Sequence, residues 1–214
     1  MLVTRECKAV LCFAKGRGFK PKFLMKLKGK KIGILLESDF YEHEIWYYHY
    51  RFPEEGAEVH FMSRLWGQPS ITFKGHEYHA PFECSESFEH IDDETLRSFA
   101  AIIVPSGIVS DRLRYVEDIH QLPPATIFLK RAFAEPSILK GIICHGMWLV
   151  APARELVKGR SVTCHNNLHG DIESYGAIYQ DQDVVVDGDL VTGRTGAHAH
   201  LFASKIIEIL GQSS

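Results

Sequence analysis

A chain of 214 residues can bury one good-sized core but leaves little room for a second full domain. Its 45% hydrophobic and 24% charged residues are those of an ordinary globular protein, and no apolar run approaches the length needed to cross a bilayer, which excludes a membrane-spanning chain. The net charge of -3 hides an asymmetry: Met1 to Lys31 holds ten basic residues against Glu6 alone, so the remainder carries about -12.

The basic start suits a nucleic-acid or lipid-binding arm, a targeting leader, or a plain upstream extension. Few aromatics interleave its lysines beyond Phe13, Phe19 and Phe23, and it lacks the serines of a leader. Met25-Lys26-Leu27-Lys28-Gly29-Lys30-Lys31 reads as a natural start just before a first strand. The expected organisation is therefore an extension over 1–29 and one α/β domain over 30–214, with no membrane or nucleic-acid partner. Cysteines at 7, 12, 84, 144 and 164 form no C-x-x-C pair and leave an odd one over, which points to free thiols in a reducing, cytoplasmic setting.

Ile32 to Leu36 is a compact apolar run, the pattern of a strand buried on both faces. An aromatic-rich helix is expected from about Tyr41 to Phe52, ending before Pro53, and a second strand from Val59 to Met62 completes a β-α-β unit. Ile71-Thr72-Phe73 and Glu77-Tyr78-His79 flank Lys74-Gly75 and predict a hairpin outside the main sheet. Ala101 to Val104 is a third buried strand, cut off by Pro105-Ser106-Gly107. A helix over Pro123 to Phe133 leads to the strand that ends at Ile143, and a helix-like pattern resumes through Trp148, Leu149 and Val150. Beyond Ser161 to Cys164 come a short helix near Asp171 to Tyr175, a hairpin turning at Asp187-Gly188, and a closing helix from Ala197 to Leu210. This alternation predicts a flavodoxin-like, doubly wound α/β sandwich whose mostly parallel sheet carries hairpin additions.

In such a sheet the strands ending at Leu36, Val104 and Ile143 bring three segments together. Cys144 follows its strand abruptly, as a nucleophile does on a sharp strand-to-helix bend, where free N–H groups favour a thiolate. His145 titrates near neutrality and suits proton transfer. A carboxyl from Glu42 or Glu44 is placed to lean over the thiol, to be protonated, and to lower the cysteine pKa by donating to the thiolate. The turn at Ser106-Gly107 offers a backbone N–H that can pair with that of His145 as an oxyanion hole. Read singly, Cys144 is a buried structural thiol, the glutamates are first-turn residues favoured by the helix dipole, and Ser106-Gly107 is a turn; their joint placement makes the site. His76-x-x-His79 and His198-x-His200 have no evident third ligand, so no metal is expected.

Several segments together resemble the ThiJ/PfpI superfamily, from about Lys30 to Leu210. They are Phe40-Tyr41-Glu42-His43-Glu44, Pro105-Ser106-Gly107 where the family usually has Pro-Gly-Gly, Asp111-Arg112-Leu113-Arg114, and Ile143-Cys144-His145-Gly146. Lys158-Gly159-Arg160 with Val162-Thr163-Cys164, and Val185-Val186-Asp187-Gly188 with Leu190-Val191-Thr192, complete the set. The resemblance implies Cys144 as nucleophile, Glu44 as its protonated partner, Gly107 and His145 as oxyanion donors, no cofactor, and a homodimer or larger homo-oligomer. Ser106, Glu42, Trp148, Arg194 and His198 are candidates for the substrate pocket. Two departures stand out: Ser106 replaces a glycine, and Gly196 and His198 stand where relatives commonly carry Arg-x-Pro and an acidic residue. The implied activity is cysteine-dependent attack on a small carbonyl electrophile, glyoxalase-like or hydrolase-like on a small molecule or peptide, in stress or detoxification. The alternative is a non-catalytic redox sensor or stress chaperone with an oxidisable Cys144.

Overall fold

The computed structural model describes residues 25–212, so the basic residues 1–24, with Cys7 and Cys12, lie outside the described residues. Leu27, inside the expected extension, is fully buried and belongs to the core. The first strand, β1 (Lys31–Leu35), is the buried run seen in the sequence. Helix α1 (Glu42–Glu54) follows and runs on through Pro53 rather than stopping before it. Proline lacks only the donor, and its carbonyl accepts the Gly56 N–H at 2.8 Å, which closes the helix.

Strands β2 (Glu58–Ser63), β3 (Ile71–Lys74), β4 (Pro81–Cys84) and β5 (Glu86–Ser87) come next. The hairpin exists, but β3 pairs with β4 and not with the expected Glu77–His79, whose segment forms the connecting tip. Helix α2 (Asp93–Arg97), capped by the Asp92 side chain on the Thr95 N–H, leads into β6 (Phe99–Val104). After α3 (Val109–Leu113) and α4 (Pro124–Phe133) comes β7 (Leu139–Ile143). The segment Cys144–Leu156 is 3-10 and not an amphipathic α-helix; Pro152 withdraws a donor from it, and Ala153 is kinked at φ -139°, ψ 58°. The chain ends through β8 (Ser161–Val162), α5 (His169–Ser174), β9 (Ile178–Tyr179), the hairpin β10 (Val184–Asp187) and β11 (Leu190–Gly193), and α6 (Ala199–Gln212).

Seven strands form the central sheet in the order β10-β11-β7-β6-β1-β2-β5, every neighbouring pair parallel except β10 with β11. Helices α1 and α6 pack together, while α3 and α4 pack on the 3-10 segment after β7. Phe202, Ile206 and Leu210 give α6 its buried stripe at helical spacing. Because β1, β6, β7 and β11 run the same way, the loops after them meet at one edge of the sheet. At β7 the opposite edge is held by buried Lys140, which reaches the Asp189 carboxylate and the Glu135 carbonyl (3.2 Å).

Candidate active site

Cys144 takes the first position after β7 with a positive φ of 60°, a conformation an L-residue holds only when its surroundings fix it. Its side chain is almost fully buried, and Sγ lies 3.3 Å from His145 Nδ1. The turn after β6 brings Gly107 to the same place at φ 81°; a Cβ there would fall 2.5 Å from the Asp39 carbonyl oxygen, so only glycine fits. From the loop after β11, Gly196 completes the ring. Burial pushes the thiol up, the His145 N–H opposes this, the Glu44 charge adds to it, and the N–H groups of Gly196 and Gly107 oppose it again; the result is about 11. This corrects the expectation of a lowered cysteine pKa: desolvation outweighs the three N–H groups.

Glu44, in the first turn of α1, has no exposed surface. One carboxyl oxygen, Oε2, accepts the Ser106 N–H at 3.0 Å and the Ser106 hydroxyl; the other, Oε1, has no hydrogen-bond partner. The expected hydrogen bond between this carboxyl and Cys144 is not formed, because the serine at the family's glycine position takes the carboxyl instead. Burial drives Glu44 up to about 7 although both Ser106 groups pull it down. Tyr48, one turn further along α1, is buried beside it with an unpartnered hydroxyl. Burial first, and then the charge of His165, lowers the pKa of His145, which leaves a neutral imidazole facing the thiol.

The cavity over Cys144 measures about 430 Å³ and is lined by Ser106, Gly107, His145 and His165, by His76 and Glu77 from the hairpin tip, and by Tyr41 and Thr195. Sequence reasoning missed His165, whose ring centroid stands 4.5 Å from that of His145. The available signal was its place directly after Thr163-Cys164, as Cys144 follows β7. It also missed the hairpin tip. Glu42 does not line this cavity: its carboxylate is buried and accepts the N–H groups of Glu77 (2.7 Å), Tyr78 (2.8 Å) and Ala80 (3.3 Å). Trp148 packs edge-on beneath the His145 ring at 4.7 Å. Arg194 is tied to Asp181 (2.7 Å) and Asp183 (3.2 Å), and His198 to the Thr195 hydroxyl (2.9 Å), so neither reaches the cavity. Among the described residues no group of three or more potential ligands converges as a metal site, and Cys84, Cys144 and Cys164 are free.

The sequence profile of the DJ-1/PfpI family matches residues 30–209. The chain belongs to the DJ-1/PfpI family. Among its relatives, an Escherichia coli protein named protein/nucleic acid deglycase 2 is 30% identical over 183 residues, covering 85% of this chain and 98% of its own. Bacillus subtilis general stress protein 18 is 33% identical, covering 78% and 90%. A DJ-1/PfpI protein from Pyrococcus furiosus, also named a deglycase, is 28% identical, covering 84% and 99%. Solved structures agree in fold: the ThiJ/PfpI domain protein of Brachyspira murdochii superposes with a TM-score of 0.72 at 19% identity, covering 87% and 99%. A two-domain Anabaena variabilis protein with DJ-1/ThiJ/PfpI-like and ferritin-like domains gives 0.74 at 24% identity, covering 85% of this chain and 48% of that one. The DJ-1/PfpI fold thus accounts for nearly all of the described chain, and its members here include stress-related and deglycase-named proteins. No helix among the described residues is long and apolar enough to cross a membrane.

Proposed function

We propose that this chain is a cysteine-dependent enzyme acting on a small carbonyl electrophile in stress or detoxification. The observation that carries this reading is Cys144 held at φ 60° on the floor of the cavity, with His145 Nδ1 at 3.3 Å and the N–H groups of Gly107, His145 and Gly196 facing its sulfur. Neutral His145 takes the thiol proton as sulfur attacks, so no resting thiolate is needed. The new S–C bond forms as the carbonyl π pair moves to oxygen, where the Gly107 and His145 N–H groups hold the charge.

For a 2-oxoaldehyde, the oxyanion regains its proton from His145 to give a hemithioacetal. A proton then moves from C1 to the C2 carbonyl to give a 2-hydroxy thioester, and water hydrolyses this to the hydroxy acid and frees the thiol. The balance is addition of one water. Deglycase names among the relatives support a carbonyl-derived substrate; hydrolysis of an amide or peptide would share the first step. Assembly into dimers or larger homo-oligomers in a reducing compartment belongs to the same reading. A sensor without turnover needs an exposed, low-pKa thiolate. Cys144 is buried and keeps its proton, which favours the enzyme.

The test follows methylglyoxal loss and product formation, and release of amine from glycated model peptides, in wild type and Cys144→Ala. Expected is a loss of at least about a thousandfold in kcat/KM for the variant. Equal activity of the two proteins, or a wild type inert on every carbonyl and peptide substrate, would overturn the enzyme reading.

A further inference from the structure

We propose that Ser106 is a positioning residue that decides where the proton of the Glu44–Cys144 pair resides: its hydroxyl keeps the Glu44 carboxyl ionised and so leaves the proton on sulfur until a base removes it. The inference rests on the reading of Cys144 as the nucleophile. It concerns the preparation of that nucleophile and not the substrate.

The geometry is asymmetric. Glu44 is fully buried, yet both of its hydrogen bonds come from one residue and fall on one oxygen: the Ser106 N–H at 3.0 Å and the Ser106 hydroxyl, both on Oε2. Donors aimed at a carboxylate favour its charged form. A negative carboxylate beside the sulfur opposes a second negative charge there. Ser106 therefore holds the pair as carboxylate plus thiol. Without the hydroxyl, one of the two stabilising donors is gone, and the buried carboxyl takes a proton more readily. A neutral Glu44 no longer repels a thiolate, and Oε1, now without a partner, is free to carry the proton as a donor.

The neighbouring loop is shaped for this serine. A Cβ on Gly196 would lie 2.7 Å from Ser106 Oγ, so the side chain at 106 and the bare backbone at 196 occupy complementary space. The two departures from the family pattern thereby meet at one contact. The other titratable groups facing the pair are Tyr41 and Tyr48 on α1, His76 and Glu77 at the hairpin tip, His145 after β7, and Cys164 and His165 after β8. No lysine or arginine lines the cavity to fix the charge of Glu44 instead.

The experiment measures iodoacetamide alkylation of Cys144 against pH by mass spectrometry of its peptide, with Cys84 and Cys164 as internal references. It compares wild type, Ser106→Ala, Glu44→Gln and the double variant. Ser106→Ala is expected to lower the apparent pKa of Cys144 by about one unit and to speed alkylation at pH 7 about tenfold. In the Glu44→Gln background the same change is expected to have no effect, because there is no carboxyl to hand the proton to. An unchanged or slower reaction in Ser106→Ala overturns the proposal, and so does the same acceleration in both backgrounds, which would mean simple loosening of the site. If Glu44→Gln does not fold, the infrared C=O band of a protonated acid must grow at pH 7 in Ser106→Ala; its absence is equally decisive. None of these curves depends on turnover, so failure of the proposed enzyme activity is read separately.

Discussion

Glu42 and Glu44 stand two residues apart in the first turn of α1, both almost fully buried, and they are driven in opposite directions. On the hairpin side, burial pushes Glu42 up, but hydrogen bonding with the Glu77 carboxyl and with the N–H groups of Glu77 and Tyr78 outweighs it and holds Glu42 at about 2. On the thiol side, burial of Glu44 is met by one residue's donors on one oxygen, and it rises to about 7. Burial of a carboxyl therefore does not decide its charge; the number of donors aimed at it does. The first turn uses one acid as a permanently charged fastener and leaves the other poised near neutrality beside a nucleophile.

The largest effect is expected from breaking the fastener. Glu42→Ala leaves the N–H groups of Glu77, Tyr78 and Ala80 without their acceptor and releases the hairpin tip that carries His76 and Glu77 over the cavity. Denaturant unfolding at pH 7 should show a loss of about 4 kcal/mol, since each buried donor left unmade costs about 1–3 kcal/mol and water recovers part of it at the exposed tip. Glu42→Gln, which retains one acceptor oxygen, should lose about half of that. A cost below about 1 kcal/mol for the alanine variant would mean that the tip is held by other contacts.

Next in size is the pH dependence, where the two acids carry opposite signs. Glu42, depressed in the folded state from the ordinary 4.5 to about 2, adds stability that is complete above pH 4.5 and is lost as pH falls toward 2. Glu44, raised from 4.5 to about 7, binds more protons when folded, so its contribution is complete below pH 4.5 and is lost as pH rises through 7. Wild type should lose roughly 3 kcal/mol through Glu44 between these limits, relative to Glu44→Gln, whose difference curve removes every group common to both proteins. A flat difference between pH 4.5 and 7.5 would place Glu44 among ordinary carboxyls and remove the contrast.

How far this contrast was legible in the sequence depends on the range of the contacts. β1, β6 and β7 are continuous apolar runs, and Cys144 stops one of them, so the sheet, its order around the site and the meeting of Cys144 with the Ser106-Gly107 turn followed from local pattern. The hairpin tip did not: Glu77-Tyr78-His79 alternates like a strand, but two of its N–H groups are claimed by Glu77's and Tyr78's contacts with Glu42, 35 and 36 residues away. The same distance hides the roles of the two acids, which look alike as Glu-His-Glu. His165 escaped because its approach to His145 depends on where β8 leaves the chain, and no periodicity encodes that. Arg194 and His198 looked like pocket residues by position after β11, whereas Asp181, Asp183 and Thr195 had already engaged them.

The smallest predicted effect sharpens the contrast most finely. Glu77 faces Glu42 across the clamp: its Oε2 accepts the Glu42 N–H at 3.2 Å, while its own carboxyl is raised by burial and then by the neighbouring Glu42. Glu77→Gln keeps an acceptor for that N–H, supplies an N–H donor to the Glu42 carboxylate and removes a like charge. The folded-state pKa of Glu77 is raised, so the stability it contributes is lost as pH rises; the amide variant should therefore be the more stable protein at pH 7, by a few tenths of a kcal/mol, a size typical of partly exposed charges. Near pH 4, where Glu77 already holds its proton, the two proteins should unfold together. Paired denaturant curves at the two pH values decide it. A destabilisation at pH 7 would show that Glu42 needs a charged neighbour, and that its low pKa is the work of the whole tip and not of the backbone donors alone.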